Sequence, residues 1–121
     1  LEHKKVRLFK HGEQKRDFVF IKDVIQANVK AIEAQKSGIY NVGTGVARSF
    51  NDVVNALKAE LGEFEVEYFD NPYGFYQNHT QADIQSTKEF LSYTPRFSLE
   101  EAIKVYVPEI KRIYEREIAK K

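Results

Sequence analysis

Arg16 follows Lys15 directly ahead of the apolar run Phe18-Val19-Phe20-Ile21. A planar guanidinium at the edge of a strand can grip a phosphate with two donors, and the neighbouring ammonium adds charge. The competing reading is that Arg16 pairs with Asp17 or with the acidic centre of the chain. Tyr76 belongs to a loop-like segment, residues 71–79, that also carries Tyr73, Phe75 and His79. A phenol there can stack on or hydrogen-bond to a planar or phosphorylated ligand, or simply pin the loop. Gly43-Thr44-Gly45, followed by the helix-capping candidate Ser49, could offer backbone donors to an anion. It lacks the GxGxxG spacing of a dinucleotide fingerprint and the GK[ST] ending of a P-loop, so a plain tight turn after a buried strand is the favoured reading. His3, His11 and His79 are scattered and form no HExxH, and the absence of cysteine excludes disulfides, thiolate zinc sites and cysteine catalysis.

These groups need a frame. Val6 to Phe9 reads as a short strand, residues 11–14 as a polar turn, and Phe18 to Ile21 as a strand covered on both faces, because it shows no polar alternation. Asp23 is placed to cap a helix whose Ile25, Val29 and Ile32 recur at helical spacing, with Ser37-Gly38 as its stop. Ile39 to Val42 is the next expected strand, giving a βαβ unit and a parallel sheet. Ser49 with Asp52 resembles a capping box and opens a helix striped by Phe50, Val53, Val54, Leu57 and Leu61 up to Gly62. Glu65 to Phe69 alternates as a half-buried strand, with Val66 and Tyr68 on one face. A short helix is expected over 83–91 and irregular chain around Pro95. Ser98 with Glu101 forms a second capping box, opening a helix that buries Leu99, Ile103, Tyr106, Ile110 and Ile113. Pro108 inside that helix predicts a kink or a break.

The 121 residues suit one ordinary domain, and 42% hydrophobic with 31% charged residues is too apolar for a disordered tail. The 19 Lys and Arg nearly balance the 18 Asp and Glu, but both ends are basic and residues 17–103 are acidic. Neither end interleaves aromatic with basic residues, so a nucleic-acid surface is not indicated. No stretch is apolar for long enough to span a bilayer and no signal peptide precedes the charged start, which favours a cytoplasmic chain. Two convincing buried-type strands are too few for a free-standing doubly wound sheet. The expectation is therefore a remainder of something larger; the alternative of a different class is an autonomous interaction module with basic ends.

Taken together, Arg16-Asp17-Phe18-Val19-Phe20-Ile21, Asp23-Val24, Asn28, the run from Ser37 to Gly45 and Ala47-Arg48-Ser49-Phe50 resemble the C-terminal part of an extended short-chain dehydrogenase/reductase of the NAD-dependent epimerase/dehydratase family. The run from Tyr68 to Tyr73, with Tyr76-Gln77 and Thr80-Gln81-Ala82-Asp83, is similar to the branch that epimerises ADP-D-glycero-D-manno-heptose at C6. The resemblance implies an α/β fold: the last strands of a Rossmann-type sheet plus a small mixed α/β substrate-binding domain. Residues 1–121 would be the substrate-binding portion, with the NADP-binding domain and all catalytic and cofactor-binding residues upstream. It further implies that Arg16 binds the diphosphate, that Tyr76 reaches the sugar nucleotide, and that Phe9, Lys10, His11 and Gly12 wrap the nucleotide portion. The family differs at Phe75, where some members carry arginine, and Gly43-Thr44-Gly45 matches no cofactor fingerprint of the family. The implied partners are ADP-heptose and further copies in a homo-oligomer, with no nucleic acid or membrane. The implied role is in lipopolysaccharide precursor biosynthesis, and these residues alone would be inactive. Another nucleotide-sugar epimerase or dehydratase of the same architecture is the nearest rival.

Overall fold

The computed structural model describes residue 1 and residues 4–121; His3 lies outside the described residues. Strand β1 (Lys5–Phe9) pairs in parallel with β4 (Glu65–Phe69), Lys5 opposite Glu65 and Phe9 opposite Phe69. The two-residue strands β2 (Lys15–Arg16) and β3 (Arg48–Ser49) pair antiparallel, Arg16 opposite Arg48. Helices α1 (Ile21–Ile32), α2 (Phe50–Leu61), α3 (Gln85–Leu91) and α4 (Leu99–Ala119) complete the fold. The class is α/β, as expected, but its parallel pair is β1 with β4.

Residues 18–21 and 39–42, expected as sheet strands, join no ladder. A strand exists only through hydrogen bonds to a neighbour, and among the described residues neither run has one. Side chains take up carbonyls of the second run instead: Thr87 Oγ1 donates to Asn41 O at 2.5 Å, and just beyond it the Tyr93 hydroxyl donates to Gly43 O at 2.7 Å. Helix α1 begins at Ile21, with Phe20 as its N-cap, so Asp23 does not cap it. The Asp23 side chain is buried and accepts hydrogen bonds from the backbone N–H of Arg96 at 2.9 Å and of Phe97 at 3.1 Å. The α1 stripe is inverted relative to expectation. Ala27 enters the core with Ile84, Leu91 and Tyr93, whereas Ile25 and Val29 are more than half exposed and Ile32 is 85% exposed.

Helix α2 has its capping box in full, with the Ser49 side chain accepting from Asp52 N and the Asp52 carboxylate accepting from Ser49 N, both at 3.0 Å. At α4 only half of the box forms. Ser98 Oγ accepts from Glu101 N, but its hydroxyl donates to Glu101 Oε1, which therefore does not reach back to the Ser98 backbone. Helix α4 runs unbroken through Pro108, on the exposed side, where the carbonyl it frees can turn toward water. It buries Leu99 and Val107; Ile103 and Ile110 are half-buried, and Tyr106 and Ile113 are exposed.

Tyr93 is fully buried, and burial, followed by the nearby Asp23 and Asp17 carboxylates, pushes its phenol up to about 12. The protonated form is thus favoured in the folded state, so its contribution to stability is complete below pH 10 and is lost as pH rises through 12. Chemical denaturation across that range should show a fall in stability that Tyr93→Phe reduces. At neutral pH the same substitution should cost about 1–3 kcal/mol, because the Gly43 carbonyl loses its donor.

Arg48 ties the starts of α2 and α4 together. Its Nε donates to Asp52 at 3.2 Å, and its two terminal nitrogens bond both oxygens of Glu100. These bonds raise the guanidinium further above its ordinary value, the Glu100 hydrogen bond most. Asp52 is held below the usual carboxylate value first by the Ser49 backbone N–H and then by Arg48, and Glu100 first by Arg48. Both carboxylates are partly exposed, so solvent screening keeps each contribution small. The sign is nonetheless fixed: the stability is present above the ordinary values of 3.8 and 4.5 and is lost as pH falls through the depressed ones. Thermal unfolding between pH 6 and pH 3 should show a drop in Tm that is smaller for Arg48→Met. An equal drop would remove the Arg48 contribution.

Candidate functional site

Lys15 joins the ring-rich loop to β2. Its N–H donates to Asn78 O at 2.7 Å and its carbonyl accepts from Thr80 N at 3.1 Å. The strand pairing thereby brings Arg16 to Tyr76. The Arg16 guanidinium lies 5.0 Å from the centre of the Tyr76 ring, and its Nη1 donates to Lys15 O at 2.7 Å. Arg16 forms no ion pair among the described residues. Its sequence neighbour Asp17 faces other donors: Thr44 N at 2.9 Å, Thr44 Oγ1 at 2.6 Å, Gly45 N at 2.8 Å and Ala82 N at 3.3 Å. The competing Arg16–Asp17 pair is therefore not made.

Tyr76 packs edge-on against Phe9, ring centres 5.1 Å apart, and Phe9 in turn meets Phe69 at 5.0 Å and Tyr73 at 6.1 Å. Such contacts add about 0.5–1.5 kcal/mol each beyond area burial, and they tie the rings of the loop to β1 and β4. Tyr76 also lines a slot of about 200 Å³ with Arg7, Phe9, Gln14, Phe50 and Phe69. Arg16 borders a polar cleft of about 390 Å³ with Asp17, Asn41, Thr80 and Gln81. The stacked Arg16–Tyr76 pair thus links a polar cleft, which the Asp17 and Asp83 carboxylates also border, to an aromatic slot.

Of the six residues expected at the site, Arg16, Tyr76 and Phe9 come together. Lys10 turns to Asp70, with Nζ 3.0 Å from its carboxylate, and His11 is exposed. Gly12 is buried at φ 73°, where a Cβ would lie 2.1 Å from Asn51 Oδ1, so glycine is required on both counts. The 9–12 loop is held by Asn51, whose N–H donates to Gly12 O at 2.9 Å and whose Nδ2 donates to His11 O at 2.8 Å. The Tyr68 hydroxyl donates to Asn51 Oδ1 at 2.9 Å and fixes that amide in turn. Sequence reasoning missed Asn51 and the role of Asp17. The signal for Asp17 was available: backbone donors of a Gly-Thr-Gly turn need an acceptor, and a carboxylate is the best one.

That turn also bears on cofactor binding. Thr44 N and Gly45 N, the donors that would cradle a pyrophosphate, already bind Asp17. The described residues therefore do not form a dinucleotide cradle at this turn.

Residues 1–43 match the model of the NAD dependent epimerase/dehydratase family. The ADP-L-glycero-D-manno-heptose-6-epimerase of Fusobacterium nucleatum is 40% identical over 111 residues, covering 82% of this chain and 33% of that protein. The crystal structure of the Helicobacter pylori ADP-L-glycero-D-manno-heptose-6-epimerase superposes with a TM-score of 0.83 at 57% identity, covering 89% of this chain and 33% of that one. The chain belongs to the NAD-dependent epimerase/dehydratase family. It spans about a third of the length of these relatives. Another epimerase structure, the UDP-glucuronic acid 4-epimerase of Bacillus cereus in complex with UDP-glucuronic acid and NAD, superposes with a TM-score of 0.83 at 30% identity, covering 93% of this chain and 37% of that one. The epimerase/dehydratase fold thus extends over nearly the whole chain, beyond the residues the family model matches. No described helix is long and apolar enough to cross a membrane.

Proposed function

We propose that this chain is the C-terminal, sugar-nucleotide-binding part of a larger epimerase that interconverts ADP-D-glycero-D-manno-heptose and ADP-L-glycero-D-manno-heptose at C6. The observation that carries the reading is the Arg16 guanidinium, unpaired with any described carboxylate, stacked on Tyr76 between a polar cleft and an aromatic slot. In this reading Arg16 offers a diphosphate its two-donor fork at the edge of the cleft, and a flat nucleoside group takes the slot. Phe9 supplies a slot wall, while Lys10, His11 and Gly12 form the turn that wraps the nucleotide portion. The 40% and 57% identities to proteins named ADP-heptose epimerases favour that substrate over the UDP-sugar of the Bacillus cereus neighbour.

In this reading the oxidation and re-reduction at C6 belong to NADP held outside these residues, together with the catalytic side chains. The protein supplies binding and orientation here. Two uncovered apolar surfaces support a larger enzyme: the α1 stripe of Ile21, Ile25, Val29 and Ile32, and a trough of about 520 Å³ lined by residues including Phe18, Phe20, Val53, Leu99 and Ile103. Apolar faces of this extent are what a further domain covers. The whole enzyme is placed by the same reading in the cytoplasm as a homo-oligomer that supplies a lipopolysaccharide precursor.

The test is to express the complete reading frame that contains these residues and incubate the product with ADP-D-glycero-D-manno-heptose. Formation of the L-glycero epimer by that product, and no turnover by the 121-residue chain, are the expected results. Turnover by the chain alone would refute the domain assignment; preference for a UDP-hexose would refute the substrate.

A further inference from the structure

Arg16 and Asp17 border the same polar cleft, yet they do not meet as an ion pair. The reason is the crowd of donors around the carboxylate. Oδ1 accepts from Thr44 N and Thr44 Oγ1, and Oδ2 accepts from Gly45 N and Ala82 N, at 2.6 to 3.3 Å. The pocket is also closed sterically, since a Cβ on Gly43 would lie 2.7 Å from Asp17 Oδ2 and 2.8 Å from Ala82 Cβ. Three segments therefore converge on one side chain: the end of β2, the 43–45 turn and the chain leading into α3.

We propose that Asp17 is a positioning residue for the anion site: by anchoring its carboxylate in the 43–45 turn it fixes the backbone beside Arg16 and leaves that guanidinium unpaired toward a diphosphate. This rests on the reading of Arg16 as the anion ligand. It has a consequence opposite in sign to simple electrostatics. Deleting a negative charge at the edge of an anion-binding cleft should tighten anion binding by Coulomb attraction alone. Deleting an anchor should weaken it.

Asp17→Asn separates the two. The amide oxygen can still accept from Thr44, but its NH2 must face the N–H of Gly45 or Ala82, donor against donor. Gly43→Ala displaces the carboxylate sterically with no change of charge, and Thr44→Val removes one of the four bonds to the carboxylate, together with the exposed contacts of the Thr44 hydroxyl to Val46, and is the mildest of the three for Asp17. ADP binding to the complete enzyme that contains these residues, with its cofactor site saturated with NADP, would be measured by calorimetry, with circular dichroism and Tm confirming that each variant is folded. Arginine Nε–Hε NMR signals would report whether Arg16 loses its fixed environment, which a loss of global stability alone would not cause in a folded variant.

Asp17→Asn and Gly43→Ala are each expected to weaken ADP by about tenfold, Thr44→Val by less, with a broadened or shifted Arg16 signal. Should Asp17→Asn fail to fold, Gly43→Ala and Thr44→Val carry the test. If Arg16→Ala loses ADP while the folded Asp17 and Gly43 variants bind as tightly as the parent or tighter, the positioning role falls and the site reading stands. If Arg16→Ala itself binds ADP unchanged, both fall.

Discussion

Replacing Arg16 with alanine is expected to weaken nucleotide-diphosphate binding by roughly 10- to 100-fold, the equivalent of losing charge-assisted hydrogen bonds worth about 1.5–3 kcal/mol. The guanidinium has no carboxylate within ion-pair distance among the described residues, so the mutation removes a cation that the fold leaves available. The cost to stability should be small. Arg16 contributes one hydrogen bond to the Lys15 carbonyl and one face to the Tyr76 ring, and the loop keeps its Phe9 contact and its Lys15 backbone bonds without it. In the complete enzyme the loss should appear as a raised KM for the ADP-sugar, with kcat lowered only insofar as the diphosphate also orients the reacting carbon. Arg16→Lys should recover only part of the binding, because a point charge cannot offer the planar two-donor fork or the same stacking on Tyr76. Unchanged KM and unchanged ADP affinity in Arg16→Ala would remove this residue from the site.

Local features were legible in the sequence where a few neighbouring residues decide them. The Ser49–Asp52 box and the Gly62 stop needed only residues inside or beside α2, and both are found as expected. The association of Arg16 with Tyr76 was legible only through family resemblance, because the two are 60 positions apart and meet through Lys15, whose spacing carries no signal. The misread stretches share a different cause. Phe18 to Ile21 and Ile39 to Val42 carry the composition of buried strands, but composition states what a segment would bury and not whether a neighbour is there to bury it. Ile39 is almost wholly exposed, and the α1 stripe that periodicity assigned to a core is more than half exposed. The apolar pattern and the described contacts are reconciled if those faces meet a further domain. The same argument explains why Asp17 was undervalued. Adjacent opposite charges in sequence invite pairing on paper, whereas in the fold a turn of backbone donors claims the carboxylate first.

Asp23 carries the largest expected effect on stability. Had it been an N-cap at a helix end, its removal would cost about 1 kcal/mol, the usual value for a capping side chain. Its actual position differs: the side chain is 1% exposed, lies inside α1, and holds the N–H groups of Arg96 and Phe97 on a segment more than seventy residues away. Those two donors lie in the irregular chain that leads into α4, where no helix or ladder offers them another acceptor. Gln26, three residues on, makes a second pair of ties to the same segment, to the carbonyl and the N–H of Thr94. Asp23→Ala therefore strips two charge-assisted bonds and leaves two part-buried backbone donors without their acceptor. A loss of about 2–4 kcal/mol follows, against about 1 kcal/mol for Gln26→Ala, whose bonds are exposed and can be replaced by water. Urea denaturation of the two variants would decide it. A cost for Asp23→Ala no larger than that for Gln26→Ala would mean that water reaches Arg96 and Phe97. A large cost would identify Asp23 as the strut that sets the approach of α4 to the rest of the fold, and with it the trough between residues 18–21 and α4.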